Sequence, residues 1–232
     1  MCLYPRLVDN PKYKPNKKNG YQKPRLPVRL VNGVEIPDER VLKVAIGCGK
    51  CIECLKQKSN EWRVRLFEEI KHNKQKAHFV TFTFSNDSIQ KLTNTDRIWE
   101  LGGYDRDNAI ASIAVKRFKE RYRQKHGKYP RSWLITELGH QGTENIHLHG
   151  IIWTDHDGKD LRDLWSYGFI WNSSEQYRGW VNEQTVNYII KYCTKLDTDR
   201  EYYKPKIYAS NGLGKGYLKR IDRQYDYKGD QT

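Results

Sequence analysis

Two residue patterns in this chain could do chemistry. In Ile146-His147-Leu148-His149-Gly150-Ile151-Ile152-Trp153, two histidines stand one residue apart inside an apolar, β-branched run. Such a run reads as a strand, and strand side chains alternate between faces, so His147 and His149 project to the same side. Two imidazoles on one rigid face form half of a metal site. Downstream, Tyr188-Ile189-Ile190-Lys191-Tyr192-Cys193-Thr194-Lys195 carries two tyrosines four residues apart, each followed three residues later by lysine. A phenol with a pKa near 10 is a poor nucleophile at neutral pH. It can attack phosphorus when a metal polarises the phosphate and a cation, Lys191 or Lys195, supports the developing charge. The two patterns together point to phosphodiester chemistry on nucleic acid. The product, a phosphotyrosine ester, keeps the bond energy and permits rejoining without ATP. Two tyrosines would let one hold a DNA end while the other attacks.

A cation that activates a phosphodiester needs few protein ligands and open positions for substrate oxygen. Glu137 is the expected third ligand. It lies on the neighbouring strand, ten positions upstream of His147 across a Gly-rich turn. His140 and Glu144 are nearer in sequence but sit in that turn. Imidazole and carboxylate ligands with substrate oxygens suit Mn²⁺ or Mg²⁺. Two histidines and a carboxylate could equally hold Fe(II) in an oxygenase, for which the basic charge and the tyrosine helix would have no role. Cys48, Cys51 and Cys54 place three thiols within seven residues, with Cys2 a possible fourth and His72 a competitor. Four thiolates around Zn²⁺ would make a closed structural site pinning the N-terminal arm. The spacing also resembles part of an iron–sulfur run, without its fourth Cys and Pro.

The elements that must position these residues read as follows. Residues 1–40 hold most of the prolines among lysines and asparagines and read as an extended basic arm. Val41–Ile46 reads as a short strand leading into the cysteines. Leu55, Trp62, Leu66, Phe67 and Ile70 recur at near-helical spacing, which predicts a helix from Ile52 to about Asn73. Strands are predicted at Ala77–Phe84, Trp133–Glu137, Asn145–Trp153 and Phe169–Trp171. Helices are predicted over Asn108–His126, closed by Gly127 and Pro130, near Leu161–Trp165, and from an N-cap at Asn182 to Leu196. On that last helix Val186, Ile189, Ile190, Cys193 and Leu196 form a core stripe at about 100° per residue. Tyr188, Tyr192 and Lys195 lie on another face, with Lys191 at its margin. The result is an α+β domain over 41–200, built on a central antiparallel sheet with helices packed against it, and a C-terminal tail over 201–232.

The chain carries 42 Lys+Arg against 28 Asp+Glu, a formal charge of +14, together with 16 Tyr and 7 Trp. That balance favours a polyanionic partner with unpaired bases to stack on. No apolar run approaches the roughly 20 residues of a membrane span, and the start lacks the apolar core of a signal peptide. A cytosolic setting follows, in which the 5 cysteines read as thiols or metal ligands rather than disulfides. Cys193 reads as core packing. Gly212-Leu213-Gly214-Lys215-Gly216 reads as a loop, and Lys116, Arg117, Lys119, Arg121, Arg123 and Lys125 as a solvated helix face; His78 and His126 receive no role.

His147-Leu148-His149, a strand-borne Glu137 and Tyr188-x-x-Lys191-Tyr192-x-x-Lys195, in this order, resemble the HUH endonuclease superfamily. The doubled tyrosine is similar to the replication initiators of small single-stranded DNA phages, the microviruses, and Cys48-Gly49-Lys50-Cys51-Ile52-Glu53-Cys54 is similar to their gokushovirus-type members. Phe79-Val80-Thr81-Phe82-Thr83-Phe84 resembles the family's first strand. The resemblance covers roughly residues 41–196. It implies a five-stranded antiparallel sheet, and origin nicking and rejoining in rolling-circle replication through a 5′-phosphotyrosine. His147, His149 and Glu137 would hold the metal, Tyr188 and Tyr192 would be the nucleophiles, and Lys191 and Lys195 would assist. It also implies single-stranded origin DNA as partner, a host helicase and polymerase, and the host cytoplasm as location. The rivals are an HUH transposase or relaxase and a zinc-stabilised nucleic-acid-binding protein without catalysis.

Overall fold

The alternating apolar runs of the sequence become the strands of one antiparallel sheet. The computed structural model describes residues 2–17, 20–95, 98–139, 145–172, 181–194 and 205–216. The chain divides into two compact units, Met1–Gln57 and Lys58–Thr232.

The second unit holds the sheet. Its strands are β5 (Ala77–Phe82), β6 (Arg131–Leu138), β7 (Ile146–Trp153), β8 (Ile170–Asn172) and β9 (Ile207–Ala209), in the order β8-β5-β7-β6-β9. All neighbours run antiparallel. The helices are α1 (Ile52–His72, which crosses the unit boundary), α2 (Asn86–Thr95), α3 (Gly103–His126), α4 (Gly158–Leu164) and α5 (Glu183–Thr194). This is the α+β sheet-and-helix class expected.

Alternation along the strands sorts side chains to two cores. On one face Phe79, Trp133, Ile135, Ile151 and Trp153 pack with Leu66 of α1 and with Val186, Ile189, Ile190 and Cys193 of α5. On the other, Val80, Phe82, Leu134, Leu148 and Ile152 pack with Ile110, Ala114 and Phe118 of α3, Leu92 of α2, and Leu161 and Leu164 of α4. The central strand β7 is covered on both faces, which is why Gly150-Ile151-Ile152-Trp153 is uniformly buried rather than alternating. Gly150 has a steric reason: a Cβ there would lie 2.0 Å from the Trp133 carbonyl oxygen. The close approach of β6 and β7 thus requires glycine.

Three elements depart from expectation. The sheet's fifth strand is β9, inside the segment expected to be a tail, while residues 43–46 form β4 (Lys43–Ile46) elsewhere. Three residues are too few for a period-2 signal, and only their pairing with Trp133–Ile135 makes them a strand. The glycine turn after β9 is structural: the Gly214 amide donates to Glu69 Oε2 at 2.9 Å. Glu69 of α1 also takes both Arg131 Nε and, at 2.7 Å, Arg131 Nη2. Burial works against its charge, but Arg131, the Gly214 amide and Asn73 outweigh it and hold the carboxyl below its usual range. This hub ties α1, β6 and the turn after β9 together. Third, α2 went unpredicted because Asn86-Asp87-Ser88-Ile89-Gln90-Lys91-Leu92-Thr93-Asn94-Thr95 is poor in helix formers; burial of Leu92 overrides propensity.

The first unit is not a simple extended arm. It contains β1 (Arg6–Asp9) paired with β4, and the hairpin β2 (Val28–Val31) and β3 (Val34–Pro37). The hairpin turns on Asn32-Gly33 at φ 51° and 79°, the pair that a two-residue primed turn prefers. Cys51 is the one buried residue among the described residues of this unit, so it has no hydrophobic core of its own. No helix among the described residues is long and apolar enough to cross a membrane.

Candidate active site

The register of three central strands sets the site. Glu137 of β6 stands opposite His147 of β7, and Ile135 opposite His149. Across the other edge of β7, Thr81 of β5 pairs with His149. His149 Nε2 lies 2.7 Å from Glu137 Oε2, and its Nδ1 lies 3.0 Å from Thr81 Oγ1. The glutamate contact lacks hydrogen-bond geometry, which leaves Nε2 a buried ring nitrogen with no hydrogen-bond partner. Two lone-pair donors thus converge, with Thr81 fixing the ring from behind. A divalent cation asks this of its first ligands and of the group that orients them.

His147 shares the face but stands apart, its ring centroid 6.4 Å from that of His149. Burial pushes its imidazole below the ordinary range, the neighbouring His149 adds to this, and Glu137 opposes it. His147 is therefore held in the neutral form that can ligate. Among the described residues, two groups bring three or more ligand atoms all within 4.8 Å of one another: Cys2, Cys48, Cys51 and Cys54, and His126, His156 and Asp160. The trio His147, His149 and Glu137 is not one of them; His149 and Glu137 converge, and His147 stands at the rim.

The helix α5 lies over the same face. Asn182 caps it as expected, its Oδ1 accepting from the Thr185 amide at 3.0 Å, and Cys193 is buried in the core stripe. Tyr192 corrects the expected face assignment: it is buried, 8% exposed, because it lies about 60° around the helix from Ile189 and the apolar stripe is wide enough to include it. Its ring stacks on His149, with centroids 4.6 Å apart and planes 4° from parallel. Its hydroxyl donates to Tyr188 Oη at 3.0 Å. Burial pushes the Tyr192 phenol far above its ordinary pKa, and the Tyr188 hydroxyl and the Glu137 carboxylate add to it. Tyr188 does avoid the core. It is 47% exposed, edge-on to Phe79, with Lys191 Nζ 5.8 Å from its ring centre. Lys195, His140 and Glu144 lie outside the described residues. Thr81 is the member that sequence reading missed; a threonine amid Phe79-Val80-Thr81-Phe82 is a signal only once the neighbouring strand is known.

The cysteine quartet is a second grouping. Cys2 Sγ lies 3.8 Å from Cys51 Sγ, and Cys48 Sγ 4.0 Å from Cys54 Sγ. Backbone amides of Cys54 and Leu3 hold the Cys51 thiol down at about 6, and those of Lys50 and Cys51 lower Cys48. Cys54, despite an amide bond from Gly49, is pushed up to about 12 by the crowded sulfurs, Cys2 first, and by burial. The Cys2 sulfur in turn accepts from the Tyr4 and Cys48 amides. Four sulfurs this close, each fed by backbone amide donors, form a donor set that could bind a metal ion. The basic face of α3 is partly engaged within the fold: Arg121 Nε donates to the Leu164 carbonyl at 2.8 Å, and Arg123 and Lys125 pair with Glu120 and Asp160.

An antiparallel sheet bearing a histidine-and-glutamate face under a tyrosine helix defines the class of site. The chain belongs to the family of replication-associated proteins of the ORF2 type, whose model matches residues 77–197, just over half of the 232 residues. The match runs from β5 through α5 and so contains the whole tyrosine face. A replication-associated role implies contact with nucleic acid. No curated protein and no solved structure gives a significant match.

The position of His147 has a measurable consequence. Its folded-state value lies below the ordinary 6.5, so its neutral form contributes stability above that pH and loses it as pH falls through the folded value. An NMR titration of the imidazole is expected to give a midpoint below 6.5; a midpoint at or above it would contradict the burial.

Proposed function

We propose that this chain is an HUH-type replication initiator of the microvirus kind, which nicks and rejoins single-stranded origin DNA. The observation that carries this reading is the stacking of Tyr192 on His149, 4.6 Å between ring centres. It sets the tyrosine helix against the convergent His149–Glu137 donors, on the same side of the sheet. A Mn²⁺ or Mg²⁺ ion held by His149, Glu137 and His147 would supply Lewis-acid polarisation of the scissile phosphate. The first nucleophile is Tyr188, the exposed phenol, whose oxygen accepts the Tyr192 hydrogen bond and has Lys191 beside it. Its oxygen bonds to phosphorus, the P–O3′ bond breaks, and the phenolic proton ends on the released 3′-hydroxyl. The DNA 5′-phosphate stays on tyrosine. Tyr192 is placed to attack in turn when the ester is resolved, and Lys195 to assist. Duplex unwinding and synthesis fall to a helicase and polymerase of the host, in its cytoplasm.

We infer further that the cysteine quartet holds a structural Zn²⁺. The support is the coreless first unit: a segment with Cys51 as its one buried described residue needs a cross-link to hold its hairpins.

Incubation with labelled single-stranded origin DNA and Mn²⁺ tests the first claim. A covalent adduct on a denaturing gel is expected, lowered roughly 100-fold or more in Tyr188→Phe, less in Tyr192→Phe, and abolished in the double variant. Tight DNA binding with no adduct would instead favour a zinc-stabilised binding protein. For the second claim, elemental analysis is expected to find about one zinc per chain that Cys48→Ser releases, with rapid proteolysis of residues before 58. Full zinc retention by that variant would overturn it.

A further inference from the structure

His126, the last residue of α3, received no role from the sequence, and the tyrosine chemistry does not use it. The helix stops where Gly127 turns left-handed at φ 74°. After β7, the segment Thr154-Asp155-His156-Asp157 leads into α4, whose first turn carries Asp160. Folding brings the three elements together. His126 Nε2 lies 2.7 Å from Asp160 Oδ2, and the His126 and His156 rings lie 24° from parallel with centroids 3.7 Å apart. One ligand atom from each residue falls within 4.8 Å of the others. The His126 and Asp160 side chains are only 10% and 15% exposed.

The surroundings hold these groups in place. The Tyr122 ring packs 4.5 Å from His126 and 6.0 Å from His156, centre to centre. The Tyr122 hydroxyl and Thr154 Oγ1 lie 2.6 Å apart, and Thr154 Oγ1 also accepts from the His156 amide at 3.1 Å. The Asp157 carboxylate accepts from the Asp160 amide at 2.8 Å and so fixes the start of α4. Lys125 engages Asp160 Oδ1, which leaves Oδ2 turned to the histidines. Two imidazoles this close repel when both are protonated, and the stack is comfortable when their lone pairs are free to bind a cation.

We propose that His126, His156 and Asp160 bind a Zn²⁺ ion, in a site distinct from both the tyrosine face and the cysteine quartet. Two imidazole nitrogens and one carboxylate oxygen match zinc better than magnesium or calcium, which take oxygen ligands. Three protein ligands leave a fourth position for water. The ion replaces the proton between His126 and Asp160: His126 shifts from its Nε2–H to its Nδ1–H tautomer, with no net proton released. The site belongs to the α3 side of the sheet, where Phe118 and Tyr122 pack with Leu148 and Ile152, whereas His149 faces α5. Its zinc therefore joins the end of α3 to the start of α4 and takes no part in the tyrosine chemistry.

Zinc content of the full chain tests this, read against variants that keep the cysteines. His156→Phe preserves a ring stacked on His126 and removes a ligand; Asp160→Asn keeps a hydrogen-bonding group and removes the anionic oxygen. Each is expected to bind about one zinc fewer than the wild type. Added Zn²⁺ is expected to raise the wild-type Tm by about 3–5 °C and leave both variants unmoved. Wild-type zinc content and an unchanged Tm response in both variants would overturn the proposal.

Discussion

The pairing of β6 with β7 is the constraint on which the rest depends. Opposite positions Glu137 and His147, with His149 one dyad on, put the carboxylate and both imidazoles on one face. A slip of one residue would turn the three to the α3 face and bury them among Phe82, Phe118 and Leu148. Gly150 locks the pairing because only hydrogen fits against the Trp133 carbonyl. The neighbouring Trp133, Ile135, Ile151 and Trp153 fill the α5 face, and any slip would expose them.

Two opposing demands meet on that face. A hydrophobic cover stabilises α5 on the sheet, yet it desolvates Glu137, His149 and Tyr192. A buried polar group without a partner costs about 1–3 kcal/mol. Most of these groups are satisfied: Thr81 on His149 Nδ1 and Tyr188 on the Tyr192 hydroxyl. His149 Nε2 is the exception, at the point where a ligand would be used. Tyr192 is accordingly a poor phenolate, and its stacking positions the helix more than it supplies a nucleophile. Tyr188, at the water boundary, takes the complementary part.

Much of this was legible in the sequence because it rests on local periodicity. His147-Leu148-His149 announces a shared face by the period of two, and Val186, Ile189, Ile190 and Cys193 announce the covered side of α5 by the period of 3.6. Asn182 and Gly127 mark helix ends by their own chemistry. What escaped depends on partners distant in the chain. Tyr192 is core only because His149 offers it a ring to stack on. Thr81 becomes an orienting residue only when β5 is the neighbour of β7. β9 is a strand only because β6 has an open edge, and His126 gains partners only when α4 folds beside α3. The Asn32-Gly33 hairpin was readable from its turn residues and was passed over for the surrounding prolines and lysines.

The central claim is that one sheet face assembles a cation site beneath the tyrosines. Anomalous diffraction from crystals soaked in Mn²⁺ tests it most directly. The account predicts a peak about 2.0–2.3 Å from both His149 Nε2 and a Glu137 oxygen, with His147 drawn in from the rim. A chain that takes up Mn²⁺ elsewhere while His149 and Glu137 remain in direct contact would contradict it.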